Sequence, residues 1–255
     1  MSLTAVLFLA MPISTKAQVA DSMPVPKKGS YVASYWKNGL SLVASPIHYK
    51  ADDWAKVGAT LVITGLTIGM DEAVSQPFFN WQSKTGKAVG DAGYFIGTVP
   101  VQLSISGLAF GAGLAAHNKP LQYFALDNLQ AQIYTGGATW LVKTLAHRAR
   151  PNAGQGAFEW GGPLNDKGNE SFFSGHSSIA FSTATMIFLH SKKKWWVGLL
   201  SYGAATGVAI GRMQRQAHWA SDVLMGAVVG SAISSFVYKK QEKRRNPIQK
   251  LKIIP

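Results

Sequence analysis

The chain has 255 residues, no cysteine and a formal net charge of +13. Its length is sufficient for one domain with a sizeable core, and the absence of cysteine excludes a disulfide scaffold. Residues 239–255 contain seven Lys or Arg and one Glu. No aromatic interleaving or recognition motif accompanies these cations, so no nucleic-acid partner is expected. A basic tail of this kind is typical of the cytoplasmic side of a membrane.

The first 50 residues predict an apolar leader and a polar lead segment. An apolar run at 3–13 is followed by Ala17, a pattern typical of a signal peptide that is cleaved after a small residue. Because no basic residue precedes the run, residues 1–17 are predicted to be either a signal peptide or an uncleaved apolar segment. Residues 18–50 are polar and contain three prolines, which indicates an exported lead segment.

From residue 51 onward the sequence has few strand signals and many helical ones. The predicted helices are 57–70, 94–116, 121–146, 177–190, 195–210 and 223–238. We expect an all-α, six-helix bundle over residues 51–240 and a basic tail at 241–255. The apolar, small-residue-rich composition indicates membrane embedding, although several segments are shorter or more polar than the roughly 20 apolar residues of a spanning helix.

The first chemical motif runs from Lys143 to Pro151. Seven positions separate Lys143 from Arg150, so on one helix these cations would lie two turns apart on the same face. Pro151 is expected to end that helix and to leave the guanidinium of Arg150 free to bind an oxyanion. The motif therefore predicts a cationic pair directed at one anion.

The second motif is Ser174-Gly175-His176, which directly precedes an apolar stretch at 179–189. This position predicts a helix N-terminus, where free backbone N–H groups and the positive end of the helix dipole bind anions. Gly175 would let the backbone approach such a ligand closely.

The third motif combines Arg212, His218 and Asp222. His218 and Asp222 are four residues apart, so within one helical turn the carboxylate can orient the imidazole and leave its second nitrogen free to attack. The six-residue spacing of Arg212 from His218 predicts that the arginine lies at the preceding helix end or in a loop. Together the three motifs supply the cations, donors and nucleophile for cleaving a phosphate ester without a metal ion.

In order and spacing, these motifs resemble those of the type 2 phosphatidic acid phosphatase (PAP2) family, which shares its site with vanadium haloperoxidases. The family signature is Lys-x6-Arg-Pro, Pro-Ser-Gly-His and Ser-Arg-x5-His-x3-Asp. This chain departs from it at two positions, where Phe173 and Gly211 replace the proline and the serine. Neither lost side chain is expected to take part in the reaction, so the departures concern substrate fit or loop rigidity. The resemblance implies a helical bundle of the PAP2/haloperoxidase type.

The resemblance also implies a role for each matched residue. His218 would attack phosphorus and form a phosphohistidine, Asp222 would orient it, and His176 would protonate the leaving group. The groups that would stabilise the phosphoryl oxygens are Lys143, Arg150, Ser174, the N–H of Gly175 and Arg212. The resemblance implies no metal and no cofactor.

The implied activity is that of a metal-independent phosphatase acting on a phosphorylated lipid, with no obligate protein partner. The substrates considered are phosphatidic acid, phosphatidylglycerol phosphate, a polyprenyl diphosphate and a lipid A phosphate. The alternative is a secreted acid phosphatase that hydrolyses soluble phosphomonoesters. A vanadate-dependent haloperoxidase is disfavoured, because such enzymes are expected to be considerably larger.

The charge pattern predicts how the chain is oriented in a membrane. If all six helices span, Lys192–Lys194 and the basic tail fall on one side and the three motifs on the other. This predicts a cell-membrane protein whose active site faces the periplasm or exterior, the alternative being a soluble periplasmic or secreted protein. A cleaved signal peptide would contradict this topology unless the first helix does not span. The loop 152–170, with Trp160, is predicted to form a lid, and His147 is a candidate for the rim of the site.

Overall fold

The computed structural model describes residues 28–163 and 170–246, and the predicted apolar leader at 1–17 lies outside these ranges. In the described ranges the regular structure is helical, and extended pairing is limited to one bridge between Arg148 and Trp160. The all-α prediction is confirmed. The helices are α1 Lys28–Val43, α2 Ala51–Gly69, α3 Asp71–Phe79, α4 Lys84–Gly97, α5 Val99–Ala115, α6 Lys119–Ala146, α7 Gly175–His190, α8 Trp195–Gln214 and α9 Ala220–Arg245.

Three of these helices are additional to the six that the sequence predicts. The first, α1, lies inside the predicted lead segment 18–50, while α3 and most of α4 precede the second predicted helix. The stretch predicted as one helix at 94–116 is divided, because α4 and α5 meet at Thr98 with a bend of 55°. Pro100 lies in the first turn of α5, a position that suits proline.

The centre of the bundle is a close contact between α7 and α9. A Cβ atom on Gly226 would lie 2.7 Å from the carbonyl oxygen of Ser174, and one on Gly230 would lie 2.0 Å from that of Ser178. Glycine at these positions therefore lets the two backbones touch. The contact brings the N-terminus of α7 beside that of α9, where the N–H of Ser174 donates to the carbonyl oxygen of Asp222 at 3.0 Å.

A second close contact joins α4 and α8. A Cβ atom on Gly211 would lie 3.0 Å from the Cα of Gly93 and equally far from the carbonyl oxygen of Val89. The glycine that replaces the serine of the family signature is thus required by helix packing.

Polar groups cover the inner face of α1. The hydroxyl of Tyr31 bonds Asp127, and that of Tyr35 donates to the carbonyl oxygen of Leu126 at 2.9 Å. Asp127 is fully buried and also pairs with His190 at 3.0 Å and with Arg245 at 2.8 Å. Asp127 lies early in α6, whereas His190 and Arg245 end α7 and α9, so this cluster occupies the end of the bundle opposite the three motifs.

The outer face of α1 is apolar. Val32, Trp36, Leu40 and Val43 recur at helical spacing and are all exposed, Trp36 to 73%. The polarity of α1 is therefore the reverse of that of an ordinary surface helix, whose apolar stripe faces the core.

Among the described residues, α9 is the one helix that is long and apolar enough to cross a membrane by itself. The bent pairs α2–α3 and α4–α5 raise the number to three if each pair is one span. Large apolar side chains such as Leu61, Leu66 and Leu108 are exposed on these pairs. These helices support a membrane location.

Candidate active site

The three motifs meet at one end of the bundle, where α6 and α8 end and α7 and α9 begin. Ser174 is the N-cap residue of α7, and its hydroxyl accepts a hydrogen bond from the N–H of Ser177 at 3.3 Å. Gly175 and His176 form the first turn. The prediction that the second motif lies at a helix N-terminus is confirmed.

The prediction for the first motif is wrong about how the two cations are brought together. The helix α6 ends at Ala146, because His147 adopts the left-handed conformation with φ of 42°. Arg150 lies beyond it in extended backbone, with φ of −82° and ψ of 153°. Lys143 and Arg150 therefore do not share a helix face. The loop nevertheless returns Arg150 to Lys143, since its charge is among the causes that lower the pKa of Lys143.

His218 lies two residues before α9, with Trp219 as N-cap residue and Asp222 in the first turn. One oxygen of Asp222 accepts the N–H of Trp219 at 2.8 Å and lies 3.6 Å from Nδ1 of His218. The predicted proximity of His218 and Asp222 is thus confirmed, although the histidine is outside the helix. Arg212 lies in the last turn of α8, which confirms the prediction that it is at a helix end.

The carboxylate of Asp222 is held on both oxygens. Oδ2 also accepts the hydroxyl of Ser171, while Oδ1 accepts Nη1 of Arg148 at 2.7 Å. With both oxygens bonded, the carboxylate has a fixed direction towards the imidazole of His218.

Arg148 is completely buried and was not among the predicted site residues. Its Nη2 donates to Asp71 at 2.7 Å, and the carbonyl oxygen of Ala157 accepts from both Nε and Nη2. The ring of Trp160 covers the guanidinium at 4.7 Å. Arg148 therefore joins α3, α9 and the loop after α6. The position of Arg148 inside the first motif was a signal from which this residue could have been predicted. Its partner Asp71 lies outside all three motifs, and no spacing pattern in the sequence pointed to it.

Tyr94 is a further residue that the sequence analysis missed. Its ring stacks on the imidazole of His176, with centroids 5.4 Å apart, and the guanidinium of Arg212 lies 5.4 Å from the same ring. This one aromatic ring fixes the positions of a histidine and an arginine from two different motifs.

Several buried polar atoms in this cluster have no hydrogen-bond partner among the described residues. They include Nε2 of His176, Nε of Arg212 and Nδ1 of His218. Nδ1 of His218 faces the carboxylate of Asp222. Buried polar groups are normally satisfied, so the unpaired nitrogen atoms of His176 and Arg212, from the second and third motifs, indicate a site for a polar ligand. The surrounding cations, Lys143, Arg150 and Arg212, favour an anion as this ligand.

Burial and neighbouring cations disfavour the charged forms of both histidines. Burial lowers the pKa of His218 to about 4, against the opposing effect of Asp222. Burial, followed by the charge of Arg212, lowers the pKa of His176 to about 3. Burial lowers the pKa of Lys143 to about 8, with Arg150 contributing. A bound anion would favour the protonated forms of all three side chains.

The remaining predicted elements lie around the site. Nδ1 of His147 lies 2.8 Å from the carbonyl oxygen of Gly162, so it anchors the loop that Trp160 belongs to. Part of the predicted lid, 164–169, lies outside the described residues. At the last residue of the predicted lid, the carbonyl oxygen of Glu170 accepts a hydrogen bond from the ammonium of Lys143. In the described ranges, no three His, Asp or Glu side chains are grouped as metal ligands.

Comparison with known proteins places this geometry in a family. Residues 124–246 match the model of the PAP2 superfamily. The lipid A 1-phosphatase of Porphyromonas gingivalis is 37% identical over 90 residues, which are 34% of this chain and 20% of that protein.

A crystal structure of a transmembrane PAP2 type phosphatidylglycerolphosphate phosphatase from Bacillus subtilis has the same fold. It is 23% identical, with a TM-score of 0.50, and the match covers 83% of this chain and 96% of that one. Residues 124–246, which are just under half of the chain and contain all three motifs, therefore match the PAP2 superfamily.

Proposed function

We propose that this protein is a phosphatase that hydrolyses a phosphorylated lipid through a phosphohistidine on His218, without a metal ion. The observation that carries the proposal is that His176, Arg212 and His218 meet at one end of the bundle, where buried nitrogen atoms of His176 and Arg212 have no partner among the described residues. The match of residues 124–246 to the PAP2 superfamily and the activity of the lipid A 1-phosphatase relative support the same chemistry.

In the first step, Nε2 of His218 attacks phosphorus while the bond to the leaving oxygen breaks. Asp222 orients the ring from the side of Nδ1, 3.6 Å away. His176 gives its proton to the leaving oxygen. In the protein without substrate the pKa of His176 is about 3, so the side chain must gain this proton when the substrate binds. The negative charge of the substrate favours the imidazolium.

In the second step, water attacks phosphorus and releases inorganic phosphate from His218, while neutral His176 accepts the proton of that water. The charge that develops on the phosphoryl oxygens is stabilised by three cations, Lys143, Arg150 and Arg212. The N-terminus of α7, with Ser174 and the N–H of Gly175, supplies further donors.

A lipid substrate fits the surface around the site. The spanning helix α9 begins at the site itself, and exposed apolar side chains cover α2 and α5. A phosphate bound at the start of α9 would lie near the membrane surface, where the headgroups of lipids are found. By the positive-inside rule, the cations at 192–194 and 239–245 at the opposite end favour a site that faces the periplasm or exterior.

The test is phosphate release by the purified protein in EDTA from phosphatidic acid, a polyprenyl diphosphate and a soluble aryl phosphate. We expect the wild type to prefer a lipid substrate and His218→Ala to fall to background, with His48→Ala, at an exposed histidine outside the site, as the matched control. After incubation with a substrate labelled in its phosphate and quenching in alkali, in which phosphohistidine survives, the wild type should carry labelled phosphate and His218→Ala should not. Full inhibition by EDTA, or activity in His218→Ala, would contradict the mechanism. Activity on the aryl phosphate alone would favour a soluble substrate.

A further inference from the structure

A pocket of about 510 Å³ lies on the surface of the bundle, where α1 and the short 3₁₀ turn Ser45–His48 meet α9. It is remote from the three motifs. Its wall includes Lys240, which follows Asp222 by 18 positions on α9. At about 1.5 Å per residue, this spacing places the pocket about 27 Å along the helix from the candidate active site. A ligand in the pocket is therefore separate from a substrate held by the motifs.

The lining combines apolar side chains with hydrogen-bonding ones. Leu40, Ala44 and Phe236 supply hydrocarbon surface, whereas three hydroxyls, the imidazole of His48 and the ammonium of Lys240 supply polar groups. Among the described residues that line the pocket, none is acidic. Such a lining suits a ligand that has both an alkyl part and an anionic group.

The cation in the pocket is available to a ligand. The ammonium of Lys240 lies 5.3 Å from the ring of Phe236, and in the described ranges it forms no ion pair. The carboxylate that follows on the same helix, that of Glu242, is engaged by Arg245 at 3.5 Å. Binding of an anion at Lys240 therefore breaks no existing ion pair.

The pocket lies where α9 changes from apolar to charged. The helix is composed mainly of apolar and small residues up to Tyr238, and Lys239 and Lys240 begin its basic end. On the opposite wall, Tyr49 packs edge-to-face against the exposed Trp54, with ring centroids 5.5 Å apart. Tyr and Trp are enriched where a protein crosses the membrane–water interface. The pocket is thus at the level of lipid headgroups, at the membrane surface opposite the active site.

The pocket is continuous with the apolar outer face of α1. Leu40 belongs to the exposed stripe of that helix and also lines the pocket. Val43 and Ile47 extend the exposed apolar surface beside it. An alkyl chain that leaves the pocket would therefore lie on apolar protein surface.

We propose that this pocket binds an anionic phospholipid of the bilayer, with the phosphate at Lys240 and an acyl chain along the outer face of α1. The charge of the surroundings favours a lipid with a net negative charge, because segments 36–56 and 236–243 contain six Lys against three Asp or Glu. The bound lipid is a ligand and not a substrate, so the inference goes beyond the proposed function.

The experiment is native mass spectrometry of the full chain in detergent, titrated with phosphatidylserine or with phosphatidylcholine. We expect tighter binding of phosphatidylserine, and in Lys240→Gln a loss of about fivefold in its affinity. Lys239→Gln removes the same charge one residue away, outside the pocket, and should lose at most about twofold. Ser41→Trp fills the pocket without changing the charge and should also lose binding. Thermal unfolding without lipid confirms that the variants are folded.

Four results would overturn the proposal. An equal loss in the two glutamine variants would mean a general attraction to the basic end of α9. Equal affinity for phosphatidylcholine would mean that the acyl chains alone are recognised. Wild-type binding by Lys240→Gln together with loss in Arg150→Ala would place the lipid at the candidate active site. A lipid-free dimer that Ser41→Trp abolishes would assign the pocket to a second copy of the chain.

Discussion

Arg148 and Asp222 form an ion pair that is completely enclosed by protein, with Nη1 2.7 Å from Oδ1 and neither side chain exposed. The same guanidinium binds Asp71, so one cation is the shared counter-ion of two buried carboxylates. One of these carboxylates orients His218. The geometry of the nucleophile therefore depends on a residue that is itself shielded from the substrate.

Replacing this arginine should destabilise the fold as well as lower activity. In Arg148→Met two carboxylates lose their counter-ion, and breaking a buried pair typically costs about 3–5 kcal/mol. The matched control is Arg215→Met, which breaks the exposed pair with Asp91 and should cost at most about 1 kcal/mol. The free energy of unfolding in detergent micelles measures both. An equal loss in the free energy of unfolding in the two variants would show that the buried ion pair stabilises the fold no more than the exposed one.

The alkaline limb of the pH profile should come from Lys143. Its pKa of about 8 means that the ammonium loses its proton as the pH rises through 8, so phosphate binding and kcat/KM should fall there. In Lys143→Arg the guanidinium stays protonated, and the limb should move upward by at least about one pH unit. Profiles of kcat/KM on an aryl phosphate between pH 6 and 10 test this. If the alkaline limb of Lys143→Arg lies at the same pH as that of the wild type, the limb comes from the titration of another group.

Restoring the family serine at Gly211 should be harmful here. In Gly211→Ser the new side chain would meet the backbone of α4 at about 3.0 Å, so α8 would have to move away together with Arg212. Overpacking of this kind costs about 1–3 kcal/mol, and phosphate affinity should fall as well. Gly203→Ser, on the same helix with nothing within 4 Å of its Cβ, is the control. Thermal unfolding and vanadate inhibition are the measurements, and equal stability of the two variants would contradict the packing argument.

The apolar outer stripe of α1 should contact lipid. The chain has no cysteine, so single spin labels can be placed at Trp36→Cys on the stripe and at Asn80→Cys, an exposed polar position near the catalytic end. In proteoliposomes, collisions with oxygen should dominate at position 36 and collisions with a water-soluble nickel chelate at position 80. Nickel accessibility at position 36 equal to that at 80 would place α1 in water.

The sequence was most informative where the spacing is local. The N-cap position of Ser174, the helix-end position of Arg212 and the proximity of His218 to Asp222 each follow from a few adjacent residues. The composition predicts the end of α6 correctly at residue 146, whereas the first-motif argument, which extends the helix to Pro151, is wrong. The residue that ends the helix, His147, is left-handed without being a glycine and precedes the proline by four positions. Arg148, Asp71 and Tyr94 escaped prediction because their partners are distant in the sequence.

The same distinction applies to the helices. The apolar segments from α5 onward are predictable from composition, whereas the polar composition of residues 18–50 predicts a lead segment and not α1. In the structure the hydrogen-bonding side chains of α1 face inward. Only the positions of α6 and α9 show that these polar groups have partners such as Asp127. A sequence pattern records polarity but not the direction in which the polar face points.

The backbone contact of α7 and α9 limits how the site can open. Gly226 lies against the carbonyl of Ser174, and the N–H of Ser174 donates to the carbonyl oxygen of Asp222, so the oxyanion donors and the carboxylate behind His218 form one rigid unit. Any movement that admits a bulky headgroup must therefore carry both groups together.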